Sequence, residues 1–295
     1  MVIKKREVLE LIKLIASDID GTLVGKDHKI SPKNLEAIRY AIKKGVHFTI
    51  ASGRAYEDIT PVYKGLGIKC QVIAVNGAQY YDEFGQVITS CLLDKEACIQ
   101  VCDIFKRENL HFMLYTSKGV FTTMEIDRVK DAFIKRKVAQ AGGTYEEAER
   151  HFKMNYLPFQ TMRYVEDLAE FLKDPIEIYK VEGFDETKAK IDEVRPMIAK
   201  IEGVAYLSSF FNNMEVTNSG AQKGTILMQA IQKMGIRPEE VMVIGDGAND
   251  LSMFELFENS VAVANAIDEI KEKAKYLVAS DEDDGVAEAI YKLIP

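Results

Sequence analysis

Ser17-Asp18-Ile19-Asp20-Gly21-Thr22-Leu23-Val24 stands at the exit of a short aliphatic run, Leu11-Ile12-Lys13-Leu14-Ile15-Ala16. That run reads as a buried strand ended by Gly21. Residues two apart in an extended chain point to the same side, so Asp18 and Asp20 face one site while Ile19 faces the core. Two carboxylates aimed together repel, and a hard cation, a shared proton or both resolves the repulsion. A solvated acidic turn after a strand would look the same, so the rest of the chain has to decide.

Working outward, Ser31-Pro32 is a helix start, with Leu35, Ile38, Ala41 and Ile42 at helical spacing and Gly45 as the stop. Val46 to Ala51 is a strand ending in Ser52-Gly53-Arg54, a helix runs on to about Leu66, and Gln71 to Val75 is a third strand ending in Asn76-Gly77-Ala78. This βαβαβ order implies right-handed crossovers and a parallel sheet, whose ligands bind beyond the carboxyl ends of the strands. Asp18, Asp20, Ser52 and Asn76 all fall there. Met214 to Thr217 reads as the return of this domain. Lys223-Gly224 opens a helix to about Gly235, and the apolar strand Val241-Met242-Val243-Ile244 runs straight into Gly245-Asp246-Gly247-Ala248-Asn249-Asp250.

Between these halves the rhythm changes. A hairpin over 80–88 leads to helices near 94–108, 125–139, 165–172 and 186–199, and to strands near 111–115, 120–124, 176–182 and 204–209; the stretch 144–163 has no clear pattern. This reads as a separate α+β unit inserted into the first domain. The expected division is a core of 11–83 and 213–295, an inserted unit of 84–212, and an N-terminal extension of 1–10.

Acidic residues outnumber basic ones by 46 to 38, for a net charge of -8. Nucleic acid and anionic membranes are therefore poor partners, whereas a small anion remains compatible with a local cluster of metal and lysine. No apolar segment approaches the roughly 20 residues of a membrane span, and the charged N-terminus is unlike a secretion leader, so a cytoplasmic protein is expected. Cys70, Cys91, Cys98 and Cys102 form no C-x-x-C pair and read as buried thiols. The sequence leaves the oligomeric state open.

Gly245 to Asp250 lacks the third glycine of a dinucleotide fingerprint, and Gly220-Ala221-Gln222-Lys223-Gly224-Thr225 has the wrong spacing for a Walker loop. The acids suit a metal better. Four motifs, D-I-D-G-T-L, S-G-R, K-G and G-D-G-A-N-D, occur in order across nearly the whole chain from about residue 12. Together they resemble the haloacid dehalogenase superfamily, Cof-like phosphatase branch, whose type IIB cap is inserted after the third strand. Ile73 to Ala78, Asn265-Ala266 and Asp284 to Ala287 also fit that branch.

The resemblance implies an α/β fold: a Rossmann-like, doubly wound parallel-sheet core with an inserted α+β cap. It implies phosphoric monoester hydrolysis of a small phosphorylated metabolite, with a sugar phosphate foremost. Mg2+ would be held by Asp18, the backbone carbonyl of Asp20, and Asp246. Asp18 would be the nucleophile that forms an aspartyl-phosphate, and Asp20 the general acid and base. Ser52 and Lys223 would bind the phosphoryl group, joined by backbone groups near Gly21 and Gly53 and by Asn249, with Asp250 behind them. Arg54 reads as an ordinary surface charge and Asn76 stays undecided. The family's usual proline near Asn218 is missing, and Gly247-Ala248 replaces bulkier residues. Both departures bear on substrate fit. Within the cap, Ser117-Lys118-Gly119 and Phe210-Phe211-Asn212-Asn213 are candidate substrate contacts. A phosphomutase using the same intermediate, a phosphorylated receiver module and a non-catalytic phospholigand sensor are the rival readings; a receiver needs neither the insertion nor Asp20.

Overall fold

The computed structural model describes residues 11–26, 29–208 and 211–295; the expected extension 1–10 and Phe210 lie outside them. The strands in chain order are β1 (Leu14–Ser17), β2 (His47–Ala51), β3 (Gln71–Ala74), β4 (Gln79–Tyr81), β5 (Val87–Ser90), β6 (His111–Thr116), β7 (Gly119–Thr122), β8 (Arg163–Tyr164), β9 (Ile178–Phe184), β10 (Val204–Leu207), β11 (Asn213–Asn218), β12 (Val241–Gly245), β13 (Asn259–Val263) and β14 (Tyr276–Val278).

They form two sheets. The larger has the order β14-β13-β12-β1-β2-β3-β4-β5. Its first six strands run parallel, and β4 and β5 continue it as an antiparallel edge. The chain moves from β1 outward to β3, then returns to lay β12 on the other side of β1. The order therefore reverses at β1, which opens a crevice at the carboxyl ends of β1 and β12. β1 and β12 are buried along their whole length, as the middle strands of a sheet covered on both faces must be.

Local chemistry sets the helix ends. The Ser31 hydroxyl accepts the Asn34 amide and Pro32 takes the first helical position of Pro32–Lys43. Lys223–Met234 stops at Gly235, whose φ of 68° closes the left-handed C-cap.

The second sheet has the order β10-β11-β9-β6-β7-β8. Alternation divides its two faces. Phe112, Leu114, Val181, Met214 and Val216 pack on one side with the helices Lys95–Arg107 and Lys188–Ile198. Met113, Tyr115 and Phe184 pack on the other with Phe133 of Ile126–Ala141.

The sheets correct the boundaries expected from sequence. β5 pairs with β4 in the large sheet, so 84–90 is not inserted. β11 pairs with β9 and β10, so 213–218 belongs to the cap sheet and not to the returning core. Both strands follow their hydrogen-bonding partners, which a single-strand pattern does not name. The crossings lie side by side: Asn218 donates to the Leu92 carbonyl at 2.9 Å and accepts the Gly220 amide at 2.8 Å. The stretch 144–163 contains two helices, Tyr145–Asn155 and Leu157–Thr161. No residue of the first is fully buried, and its apolar stripe is short, Tyr145, Ala148 and Phe152 packing partly buried beside Phe133, while Thr144 and Glu147 form a capping box.

Candidate active site

The end of β1 delivers Asp18, which is buried, and then Asp20, which is exposed. On the neighbouring strand, β12 ends at Gly245 and hands over to Asp246. The start of the helix Lys223–Met234 brings in Lys223, fully buried. Its ammonium donates to Asp18 Oδ1 at 2.6 Å and to Asp250 Oδ1 at 2.7 Å. Asp250 Oδ2 accepts the backbone amides of Asp246 at 2.9 Å and Gly247 at 3.0 Å, which fixes the acidic loop on itself. Thr22 donates to Asp246 Oδ1 at 2.7 Å. Gly21 has φ of 80°, and a Cβ there would lie 2.6 Å from Asp246 Oδ2, so only glycine lets the two loops approach this closely.

Asp18, Asp246 and Asp250 each offer an oxygen within 4.8 Å of the others. Burial and the neighbouring carboxylates push the Asp18 carboxyl well above its usual range. Burial, reinforced by Asp250, pushes Asp246 up to about 6. Burial alone would lower the Lys223 pKa, but the Asp18 and Asp250 carboxylates outweigh it and raise it. With all three carboxyls ionised, one ammonium would leave two negative charges in a confined site, which is why their protonated forms are favoured unless a cation joins them. A divalent cation with oxygen ligands fits that donor set and that deficit.

The other wall comes from β2 and β3. Ser52 is buried, its Oγ accepts the Arg54 amide at 3.2 Å, and its carbonyl accepts the Asn76 amide at 2.9 Å. Val75 and Asn76 both have positive φ, 52° and 55°. A β-branched residue there is a backbone outlier, of a kind that costs about 1–3 kcal/mol and persists only when its surroundings hold it. Here the Val75 amide bonds the Arg54 carbonyl at 2.9 Å, and Asn249 Nδ2 donates to Asn76 Oδ1 at 3.3 Å.

Among the residues expected from sequence, the structure thus gathers Asp18, Lys223, Asp246 and Asp250 in direct contact, with Gly21, Ser52, Gly53 and Asn249 around them. Arg54, expected as an ordinary surface charge, is paired with Asp20. Its guanidinium grips the Asp20 carboxylate through both oxygens, with Nε to Oδ2 at 2.8 Å. In the cap, Lys118 pairs with Asp174 and Ser117 accepts the Glu177 amide, whereas Asn213 joins a buried group with Glu182 and Glu215. Sequence reasoning missed Thr22, Lys180 and Glu215. The signal for the last two was charge at alternate positions within apolar strands: Lys180 and Glu182 flank Val181, and Glu215 sits between Met214 and Val216.

A family model described as haloacid dehalogenase-like hydrolase matches residues 15–290. The chain belongs to the haloacid dehalogenase-like hydrolases. As a member of that family it is a phosphoric monoester hydrolase. Among the relatives of this haloacid dehalogenase-like hydrolase, phosphatase YwpJ of Bacillus subtilis (strain 168) is 28% identical over 293 residues, covering 96% of this chain and 100% of the relative. The 5-amino-6-(5-phospho-D-ribitylamino)uracil phosphatase YwtE of the same organism is 31% identical over 292 residues, covering 96% and 98%. A solved haloacid dehalogenase-like hydrolase from B. subtilis superposes with a TM-score of 0.81 at 27% identity, covering 95% of this chain and 99% of the other.

Proposed function

We propose that this hydrolase is a Mg2+-dependent phosphatase of small phosphorylated metabolites, a sugar phosphate foremost, and that it works in the cytoplasm through an aspartyl-phosphate on Asp18. The observation that carries the reading is the buried contact of Lys223 with Asp18 and Asp250 beside Asp246. Asp18, Asp246 and the backbone carbonyl of Asp20 would hold Mg2+. The ion would neutralise the clustered carboxylates and the phosphoryl oxygens.

Asp18 attacks phosphorus, a carboxylate–phosphorus bond forms, and the ester P–O bond to the leaving alcohol breaks. Asp20 gives its proton to the departing oxygen, then takes one from the water that cleaves the aspartyl-phosphate and releases inorganic phosphate. In both steps Arg54 keeps hold of one Asp20 oxygen, so that the other faces the reacting oxygen. Lys223 and the Ser52 hydroxyl meet the charge on the equatorial oxygens. YwtE bears the name of a phosphatase for a phosphorylated ribityl compound, which supports a sugar or polyol phosphate as the substrate class. The net charge of -8 argues against nucleic acid or an anionic membrane as partner.

The test is a phosphate-release screen over sugar, polyol and cofactor phosphates, with Mg2+ and with EDTA. Turnover that requires Mg2+ and falls at least about 10^3-fold in Asp18→Asn is expected. Activity surviving in that variant removes Asp18 from its role, and transfer of phosphate to a second sugar in place of water makes the enzyme a mutase.

A further inference from the structure

Glu215 is 4% exposed, on the cap strand β11, yet its partners stand on both sides of the boundary between the sheets. Its Oε2 accepts Lys180 Nζ at 2.7 Å from β9 and Asn76 Nδ2 at 3.1 Å from the core. Lys180 Nζ also donates to the Gly53 carbonyl at 3.2 Å. With Asn249 on Asn76, a continuous chain of hydrogen bonds runs from Asn249 through Asn76, Glu215 and Lys180 to Gly53. It begins beside Asp250, ends beside Ser52, and passes through the cap between them.

A buried ion pair is rarely the cheapest way to fill space, since well-packed apolar residues serve stability as well or better. What this pair does that a hydrophobic contact would not is set direction. It aims one carboxylate at Asn76, next to the strained Val75, and one ammonium at the turn that follows Ser52. We propose that Glu215 is a positioning residue: cap docking places it against Asn76, and this fixes the 52–54 turn and Asn249 where the phosphoryl group is to sit. By linkage, phosphate bound at that site favours the docked cap to the same extent. The inference rests on the phosphatase reading for its kinetic consequence, though not for its structural one.

Two measurements on the full chain test it, in Glu215→Leu, Glu215→Gln and Lys180→Met. The first is hydrogen exchange over 52–54 and 75–78, with β6 as the control inside the cap. The second is kcat and KM on a substrate found by phosphate release. In Glu215→Leu, exchange over the two core segments is expected to rise about tenfold while β6 is unchanged, and KM to rise about tenfold with kcat within about threefold of wild type. Glu215→Gln keeps an acceptor for Lys180 and Asn76 and is expected to recover most of both. Should Glu215→Leu not fold, the Gln and Met variants carry the same comparison. Unchanged exchange over 52–54 and 75–78 overturns the proposal, as does a Gln variant as damaged as Leu. A wild type with no turnover sinks the phosphatase reading alone, and the exchange result then decides the positioning role.

Discussion

Arg54 meets Asp20 in a fork that holds the carboxylate at the mouth of the site, with the Asp20 side chain 46% exposed and that of Arg54 29% exposed. An ion pair in that setting adds little to stability. Its value is orientation, because a bidentate guanidinium fixes the plane of the carboxylate. Arg54→Met is therefore expected to leave the melting temperature within about 2 °C of wild type. The same variant is expected to lower kcat about 10- to 100-fold by letting Asp20 wander. Thermal denaturation beside steady-state kinetics checks both, and a kcat within twofold of wild type would leave Arg54 as no more than a surface partner.

The helix that carries Lys223 is set by contact with its neighbour. A Cβ on Gly224 would lie 2.2 Å from the Ser252 carbonyl, so the backbones of Lys223–Met234 and Leu251–Leu256 touch there. Gly224→Ala is expected to force them apart, at about 1–3 kcal/mol of stability, and to pull Lys223 away from Asp18. Denaturant unfolding and kcat/KM should fall together. In the cap sheet, Glu215 lies directly opposite Glu182, a like-charge pair that is costly unless cations intervene. Arg136, at 2.6 Å from Glu182, and Lys180 supply them. Burial alone would raise the Glu182 carboxyl, but Arg136 and Lys180 bring it down to about 2. A carboxylate whose folded pKa lies below its unfolded one stabilises above the unfolded value and loses that contribution as pH falls through the folded value. As pH falls from the ordinary glutamate range toward about 2 the protein should thus lose the stability that this group contributes. Glu182→Gln should show a flatter acid limb in urea melts taken across that range. The core elements were legible because each announces itself locally: an aliphatic strand, a cap at Ser31, a stop at Gly235. The cap boundaries and the Glu215 contact were not, because they depend on which strand lies beside β11 and in what register. No pattern within 213–218 alone encodes either.

For the whole molecule, the decisive feature is that β1 stands between β2 and β12, strands taken from opposite ends of the sequence. The four acidic and basic groups of the site therefore meet only after the cap has been threaded out and back. This long-range closure is slow relative to local helix formation. It also has a consequence for synthesis. As the polypeptide leaves the ribosome, β1 has one flank bare until residue 241 and beyond emerge, while the cap strands β6 to β11 already have every partner they need. A nascent chain halted near residue 236 should hold a folded cap and a sticky half-sheet, and should precipitate or recruit holdase chaperones where the full-length chain does not. Soluble, monomeric behaviour of such a truncation would show that the β1 flank is shielded by something other than β12.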